Sequence, residues 1–484
     1  MDEILKLGAL ELAEKIRQGE FTATAAVQTH IERIQSINPK INAMVENRFQ
    51  QALAEARLVD EAKGQPQGPL AGVPFTTKEL FAVEGMKTTA GTHLRKDHRN
   101  AYDATAIARL RAAGAILLGT TNVPELGFWF ETDNSVYGRT NNPYDLSRTP
   151  GGSSGGEAAL VSACGSAFGI GSDVGGSARQ PAAFCGLFSL KPTNRLTPIS
   201  GHFPYTFEEM KELKGDGYPY TTVGMMTRKA KDLRPLLQIT RGPDRYDQEI
   251  RDEKLLPAEQ DVTKWTVLVC DDPVIHLTKR ADPEVQQATR NAARYFEQLG
   301  ATIEELDPRM FVRAVDLWST AIRAIREKSY EEVLSPAHPL PLAREFVRAL
   351  LHQPHQHTLP SLFTVLAERI SFGAGGHAQE ILAELQELKK VFAAKLSGPR
   401  ILICPPHPRT APKHQAPLLA PFDFVYAGIF NVLDGPAGVV PMGLDKNGMP
   451  LSVQLVSGRL QDEMIMNASE ILEMGFGGWQ EPRL

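Results

Sequence analysis

Residues 150–179 read PGGSSGGEAALVSACGSAFGIGSDVGGSAR. Two turns inside this stretch each set a serine directly behind a glycine pair: Gly151-Gly152-Ser153-Ser154-Gly155-Gly156 and Gly171-Ser172-Asp173-Val174-Gly175-Gly176-Ser177-Ala178-Arg179. Glycine opens backbone angles that other residues avoid and lets a substrate come close to the main chain. Successive N–H groups in such a turn can converge on a developing oxyanion. The N–H groups of Val174, Gly175, Gly176 and Ser177 are therefore the oxyanion-hole candidates, and Ser177 would sit beside its own hole. The region up to Pro192 is not a linker, because Leu160, Val161, Phe168, Ile170, Phe184, Leu187 and Leu190 punctuate it. A flexible Gly/Ser linker lacks such residues.

A serine hydroxyl attacks a carbonyl only when a base takes its proton. No histidine lies near these turns in sequence, although one could arrive from elsewhere in the fold. Lys78 is the other candidate. Lysine acts as a base only when neutral, which burial promotes, and its neighbours Val73, Pro74, Phe75, Leu80 and Phe81 are apolar. Three other motifs fail on context. Gly151-Gly-Ser153-Ser-Gly155 has the Gly-x-Ser-x-Gly form, but a turn-rich loop, 141–150, precedes it where an elbow needs a strand. Gly169-Ile-Gly171-Ser-Asp-Val-Gly175 is one residue too long for the dinucleotide fingerprint, and no Walker lysine follows. No Ser-x-x-Lys occurs in the chain. The alternative left by the residues alone is a purely structural Gly/Ser loop.

Outward from this region the pattern alternates helix and strand, as in an α/β sheet. Val27, Ile31 and Ile34 recur at helical spacing after Thr22, an N-cap residue. A second helix is expected over 52–63, a strand over 72–78, a helix over 104–113 and a short strand over 115–118. Strand, helix and strand follow at 265–270, 283–299 and 301–306. A mostly helical stretch over 308–396 is broken at 352–357. Strands at 401–404 and 451–456 and a helix at 462–473 then return to the sheet. This describes one α/β domain over 1–484: N-terminal helices (1–70), a central core (71–245), a helical insertion covering the pocket (308–396) and a C-terminal return (397–484).

The 484 residues are 42% hydrophobic and 23% charged, with a formal net charge of -5. That balance argues against nucleic acid and anionic membrane as partners. The four cysteines, Cys164, Cys185, Cys270 and Cys404, form no Cys-x-x-Cys pair, which fits a reducing compartment. Charges at Asp2, Glu3, Lys6, Glu11, Glu14 and Lys15 interrupt any apolar N-terminal run, so neither a signal peptide nor a transmembrane anchor is expected. A cytoplasmic protein is the expectation.

The two turns, followed by Cys185-Gly186 and Lys191-Pro192, resemble the amidase signature family. Gly72-Val-Pro-Phe-Thr-Thr-Lys78 resembles that family's lysine motif, and the spacing from Lys78 to Ser153 to Ser177 matches its Ser–Ser–Lys triad. Thr121-Asn-Val-Pro-Glu125, residues 137–143, Gly201-His-Phe-Pro204 and Phe476-Gly-Gly-Trp479 look most like the type-2 fatty-acid-amide hydrolase branch, as does Gly448–Gln454, which the wider family shares. The resemblance covers nearly the whole chain and is weakest from about 245 to 395. It implies a twisted mixed sheet surrounded by helices. It also implies a mechanism in which neutral Lys78 takes a proton from Ser153, Ser153 takes one from Ser177, and Ser177 forms an acyl-enzyme. A cis peptide bond before Ser153 is implied too, with Ser154, Asp173 and Arg179 holding the glycine turns. Ser172 and Ala178 stand where threonine and isoleucine are common, and neither change is expected to touch the triad. The same signature occurs in A-type amidotransferase subunits, which hydrolyse glutamine within a complex, but Glu157 stands where that group usually has serine. A catalytically silent binding protein is the third class, and three retained triad residues argue against it.

Phe128-Trp129-Phe130 could line an acyl or aromatic pocket or belong to the core. Leu350, Leu351, Leu359, Leu362, Phe363, Val365 and Leu366 could cover the pocket entrance, and an ordinary amphipathic helix accounts for them better. His352, His355 and His357 read as a surface loop rather than a metal site, since Pro354 breaks the spacing and no carboxylate or cysteine completes the set. The expected partner is a small amide, ester or aryl carbamate. No metal or organic cofactor is called for, and a homodimer is left open.

Overall fold

Pro74–Lys78 is a strand in which every side chain is buried, the pattern of a sheet covered on both faces. A computed structural model of the chain describes residues 3–62, 68–213, 219–325, 328–351, 357–371 and 377–484. Its strands β1 (Met44–Asn47), β2 (Pro74–Lys78), β3 (Ile116–Thr121), β4 (Phe168–Asp173), β5 (Phe188–Lys191), β6 (Thr222–Thr227), β7 (Thr266–Val269), β8 (Thr302–Glu305), β9 (Arg400–Cys404), β10 (Ala437–Leu444) and β11 (Pro450–Ser457) form one 11-stranded sheet. The spatial order is β1-β3-β2-β4-β6-β5-β10-β11-β9-β7-β8. The sheet is mixed. β2 runs parallel to both β3 and β4, β4 is antiparallel to β6, and β9, β7 and β8 are mutually parallel at the far edge.

The register explains where chemistry can gather. Phe75 lies opposite Phe168 and Thr77 opposite Ile170, so the carboxyl ends of β2 and β4 finish side by side. The crevice beyond the carboxyl ends of adjacent parallel strands is where α/β sheets hold ligands. Lys78 closes β2 and Asp173 closes β4.

Helices pack around the sheet. Thr22 accepts the Ala25 N–H at 2.9 Å and caps the helix Ala23–Ile41, as its sequence position suggested. The stretch 308–396, expected as a helical insertion, contains helices Ala314–Ala324, Tyr330–Leu334, Leu342–Leu350, Leu359–Ser371 and Ala378–Lys395. It rests on the core through a cluster joining Leu80, Val123 and Leu126 to Tyr330, Leu334, Leu362 and Val365. Leu351, Phe363 and Leu366 stay exposed, so these helices bury one face only. Among the described residues no helix is long and apolar enough to cross a membrane.

The strands at 44–47, 168–173, 188–191, 222–227 and 437–444 were not anticipated, nor were the helices Gly155–Ser162 and Arg179–Phe184. β4 is Phe-Gly-Ile-Gly-Ser-Asp, and the helix Gly155–Ser162 is buried on every side. Small residues buried all round leave neither an alternating nor a helical apolar stripe to read. β3 extends three residues past the expected end, because Gly119, Thr120 and Thr121 are buried between β1 and β2.

Candidate active site

Lys78 is 1% exposed. Its Nζ lies 2.8 Å from Ser153 Oγ and 3.0 Å from Ser172 Oγ. Burial lowers its pKa to about 7, against the opposing pull of Asp173 and Glu157. Glu157 is itself pushed up to about 8 by burial, so near neutral pH it carries a proton and pulls weakly. An amine in this setting is a free base for much of the time at neutral pH.

The two glycine turns lock together at Ser154. Its N–H donates to the Ser177 carbonyl at 3.1 Å, and its Oγ meets the Ser172 N–H and carbonyl, both at 3.4 Å. The peptide bond between Gly152 and Ser153 is cis, as the resemblance implied. A Cβ at Gly152 would meet the Trp129 carbonyl oxygen at 2.5 Å, so the first turn closes only with glycine there.

Ser177 stands in a strand–turn–helix context, between β4 and the helix Arg179–Phe184. The context that the Gly-x-Ser-x-Gly match at Ser153 lacked is thus found one turn later. Asp173 and Arg179 hold this turn as a wholly buried ion pair, Oδ1 to Nη2 at 2.8 Å. Asp173 also accepts the N–H groups of Gly176 (2.9 Å), Ala178 (3.2 Å) and Arg179 (3.2 Å). Arg179 reaches on to Gln454 (2.7 Å), Asn431 (2.6 Å) and the Ala427 carbonyl (2.9 Å). Arg179 holds the Asp173 carboxyl well below the usual carboxylate range against the effect of burial. Gln454 and Asn431 were not expected here, since they lie far away in the sequence.

Gly176 donates to Asp173, so its N–H is already engaged. Of the four oxyanion-hole candidates, the N–H groups of Val174, Gly175 and Ser177 are without a partner among the described residues. Gly176 has φ +93°, and a Cβ there would meet Ala427 Cβ at 2.6 Å. Its place in the turn is structural.

Ser153 is 2% exposed, whereas Ser177 is only half-buried. The nucleophile candidate is thus the most accessible of the three. Among the described residues no hydrogen bond joins the Ser153 and Ser177 hydroxyls.

Phe130 stacks on Phe424 with ring centres 5.0 Å apart, and Phe424 meets Trp318 edge-on at 4.8 Å. Both Phe424 and Trp318 press on Gly175. Trp318 Nε1 donates to the Val174 carbonyl at 3.0 Å, tying the insertion to the turn that carries Ser177. Trp129 stacks on Phe130, but Phe128 turns the other way, onto Tyr330 under the insertion. The three aromatic pocket candidates therefore split: Phe130 reaches the Ser177 turn through Phe424, and Phe128 packs on Tyr330.

Two expectations are corrected. Ser172 does touch the triad candidates, being hydrogen-bonded to Lys78. β4 brings its side chain to the end of β2, a neighbour that linear sequence does not show. The second correction is His357, which is no surface residue. It is 4% exposed, and its Nδ1 lies 2.9 Å from Glu125 Oε1. His352 and His355 lie outside the described residues. Among the described residues no cluster of His, Cys, Asp or Glu could hold a metal ion.

A family model described as Amidase matches residues 25–466. The chain is 36% identical to fatty-acid amide hydrolase 2-B of Danio rerio, over 99% of this chain and 91% of the relative. It is 31% identical to the A-type subunit of the glutamyl-tRNA(Gln) amidotransferase of Lachnospira eligens, over 99% of this chain and 100% of the relative. Among solved structures, 6-aminohexanoate cyclic dimer hydrolase superposes with a TM-score of 0.80 at 26% identity, covering 100% of this chain and 99% of the other.

Proposed function

The chain belongs to the amidase family, and on that premise we propose that it hydrolyses amide C–N bonds through a Ser177 acyl-enzyme, with Ser153 as relay and Lys78 as base. The observation that carries this reading is the buried Lys78 amine, 2.8 Å from Ser153 Oγ, with a pKa brought down to about 7.

Neutral Lys78 takes the Ser153 proton as Ser153 takes the proton of Ser177. Ser177 Oγ bonds to the carbonyl carbon, and the oxygen becomes an oxyanion facing the free N–H groups of Val174, Gly175 and Ser177. The relay returns a proton to the leaving nitrogen, the C–N bond breaks, and an ester to Ser177 remains. Water attacks that ester with the same base and releases the acid. Aryl esters and aryl carbamates pass through the same kind of tetrahedral intermediate and are substrates in this reading. The rings of Phe130, Phe424 and Trp318 favour an apolar or aromatic group beside the scissile carbonyl.

A second reading, a glutamine-hydrolysing protein working in a complex, draws on the 31% identity to the amidotransferase chain. The α-amino and carboxylate groups of glutamine need charged partners, whereas aromatic rings flank the Ser177 turn.

The test uses the purified protein alone on matched p-nitroanilides, p-nitrophenyl esters and an aryl carbamate of varied acyl length. Turnover that Ser177→Ala abolishes, with a Ser177 acyl adduct seen by mass spectrometry, is expected. Turnover untouched by Ser177→Ala would overturn the reading, and turnover of glutamine alone would favour the second.

A further inference from the structure

The proposed mechanism uses one of the two hydroxyls that Lys78 touches. The other, Ser172 Oγ, sits between Lys78 Nζ at 3.0 Å and His202 Nε2 at 2.8 Å. His202 is 4% exposed. Its turn is bonded to the segment that follows Lys78: the Ala82 N–H donates to the Gly201 carbonyl at 2.9 Å, and the Phe203 N–H donates to the Leu80 carbonyl at 2.7 Å. The imidazole ring stands edge-on to Phe81, with centres 4.7 Å apart. Two backbone hydrogen bonds thus tie the His202 turn to the segment that follows Lys78, and Ser172 Oγ lies between the two side chains.

Hydrogen counting sets the direction of these bonds. A neutral lysine has one lone pair and two N–H groups. A base must offer its lone pair to Ser153, so its contact with Ser172 has to be a donated N–H. Ser172 is then an acceptor toward Lys78, and its own hydrogen has to go elsewhere. His202 Nε2 is the acceptor within reach in the tautomer that carries the ring hydrogen on Nδ1, a buried atom with no hydrogen-bond partner among the described residues. Burial and the nearby Lys78 keep His202 unprotonated, its pKa falling to about 3, and the Phe203 backbone opposes that shift. Without His202, the Ser172 hydrogen could turn into the Lys78 lone pair and compete with Ser153 for it.

Resting on the amidase reading above, we propose that His202 is a positioning residue for the proton relay. Its bare Nε2 accepts the Ser172 hydroxyl, which turns the Ser172 oxygen toward a Lys78 N–H and reserves the Lys78 lone pair for Ser153. His202 neither gives nor takes a proton during turnover. The charged and titratable groups around the relay are Asp173 and Glu157, which face Lys78, and Lys78 itself, which faces His202.

The experiment is a double-mutant cycle on an amide substrate, with kcat and KM measured across about pH 5 to pH 9, a range that spans titration of a buried lysine. His202→Phe keeps the ring and its packing on Phe81. It is expected to lower kcat about tenfold, the rate equivalent of one hydrogen bond, with KM unchanged. The acid limb should move to lower pH, since a hydroxyl donated to the lone pair favours the neutral amine. Ser172→Ala should lose a similar factor, and the double variant should be no slower than Ser172→Ala. His202→Gln, which keeps an acceptor near the Nε2 position, and Ser172→Thr, which keeps the hydroxyl, should restore most of the rate. Two results would overturn the proposal: His202→Phe costing the same factor in the Ser172→Ala background as in the parent, or an acid limb that does not move. Lys78→Met, run beside them, separates the two ideas. If it leaves amide turnover intact, the underlying mechanism fails; if it abolishes turnover while the cycle is simply additive, only the role of His202 fails.

Discussion

Replacing Lys78 with methionine should make the protein more stable and far less active. In the fold, burial takes the lysine pKa from 10.5 to about 7. At about 1.4 kcal/mol for each tenfold change in proton affinity, that drop corresponds to about 5 kcal/mol. The unfolded chain keeps this proton up to the ordinary lysine range, while the folded chain releases it above about 7. The unfolded state therefore binds more protons between these limits, and the penalty grows as pH falls through that window and levels off below about 7. Lys78→Met removes the penalty but leaves the Ser153 and Ser172 hydroxyls without this partner, at about 1 kcal/mol each. The expected net gain is about 3 kcal/mol at pH 7, turning to a loss above about pH 9. Urea denaturation at the two pH values reads this directly. In the same preparation amide kcat/KM should fall about 10²- to 10⁴-fold. The parent's rate should climb roughly tenfold per pH unit below the Lys78 pKa and level off above it, and Lys78→Met should lack that limb. A variant no more stable than the parent at pH 7, or one that keeps the limb, would refute this account of the lysine.

Arg179→Met leaves Asp173 charged, buried and unpaired, and should cost about 3–5 kcal/mol in urea denaturation together with turnover of esters and amides alike. Because Arg179 depresses the Asp173 pKa, the stability this pair contributes is fully present above the ordinary carboxylate range and is lost progressively as pH falls below it. Gly176→Ala combines a left-handed backbone, about 1–2 kcal/mol, with a clash against Ala427, about 1–3 kcal/mol; a lowered melting temperature and slowed acylation should appear together. Gly85→Ala is its control, with φ +76° but nothing within 4 Å of the added carbon, and should show the backbone cost alone. Trp318→Phe frees the Val174 carbonyl and should lower kcat on esters and amides about tenfold, whereas an effect confined to KM would assign Trp318 to substrate contact only.

Sequence made the local part of the site readable. Ser177, Asp173 and Arg179 fall within one turn, so the geometry that joins them is local, and the glycines announce it. The apolar neighbours of Lys78 made it a candidate only, and the resemblance of residues 72–78 to the amidase lysine motif singled it out. What the sequence hid comes from sheet register and from distant segments. Ser172 meets Lys78 because β4 lies parallel to β2, and His202 arrives on a loop paired to residues 80–82. Trp318, Asn431 and Gln454 come from the insertion and the C-terminal third. The same limit explains the missed strands, since Gly, Ser and Ala buried on both faces carry no periodic apolar signal.

A second buried lysine shows why a shifted pKa was not enough to name the base. Lys191 is also wholly buried, and its pKa also falls to about 7. Its Nζ donates to the Pro192 carbonyl at 2.7 Å and to Asn194 Oδ1 at 3.0 Å. Both partners are pure acceptors, so they use the lysine's hydrogens and offer none to its lone pair. They are ideal for holding a charged ammonium and of no use to a base. Lys78 faces two hydroxyls instead, groups that can donate as well as accept. A serine can hand its proton to the amine and receive it back without moving, and an amide carbonyl cannot. The two lysines share burial and a displaced titration, and differ in whether a neighbour has a proton to give. That difference follows from where β2 and β5 end: β2 stops against the two serine turns, and β5 runs into Pro192, which has a carbonyl but no N–H.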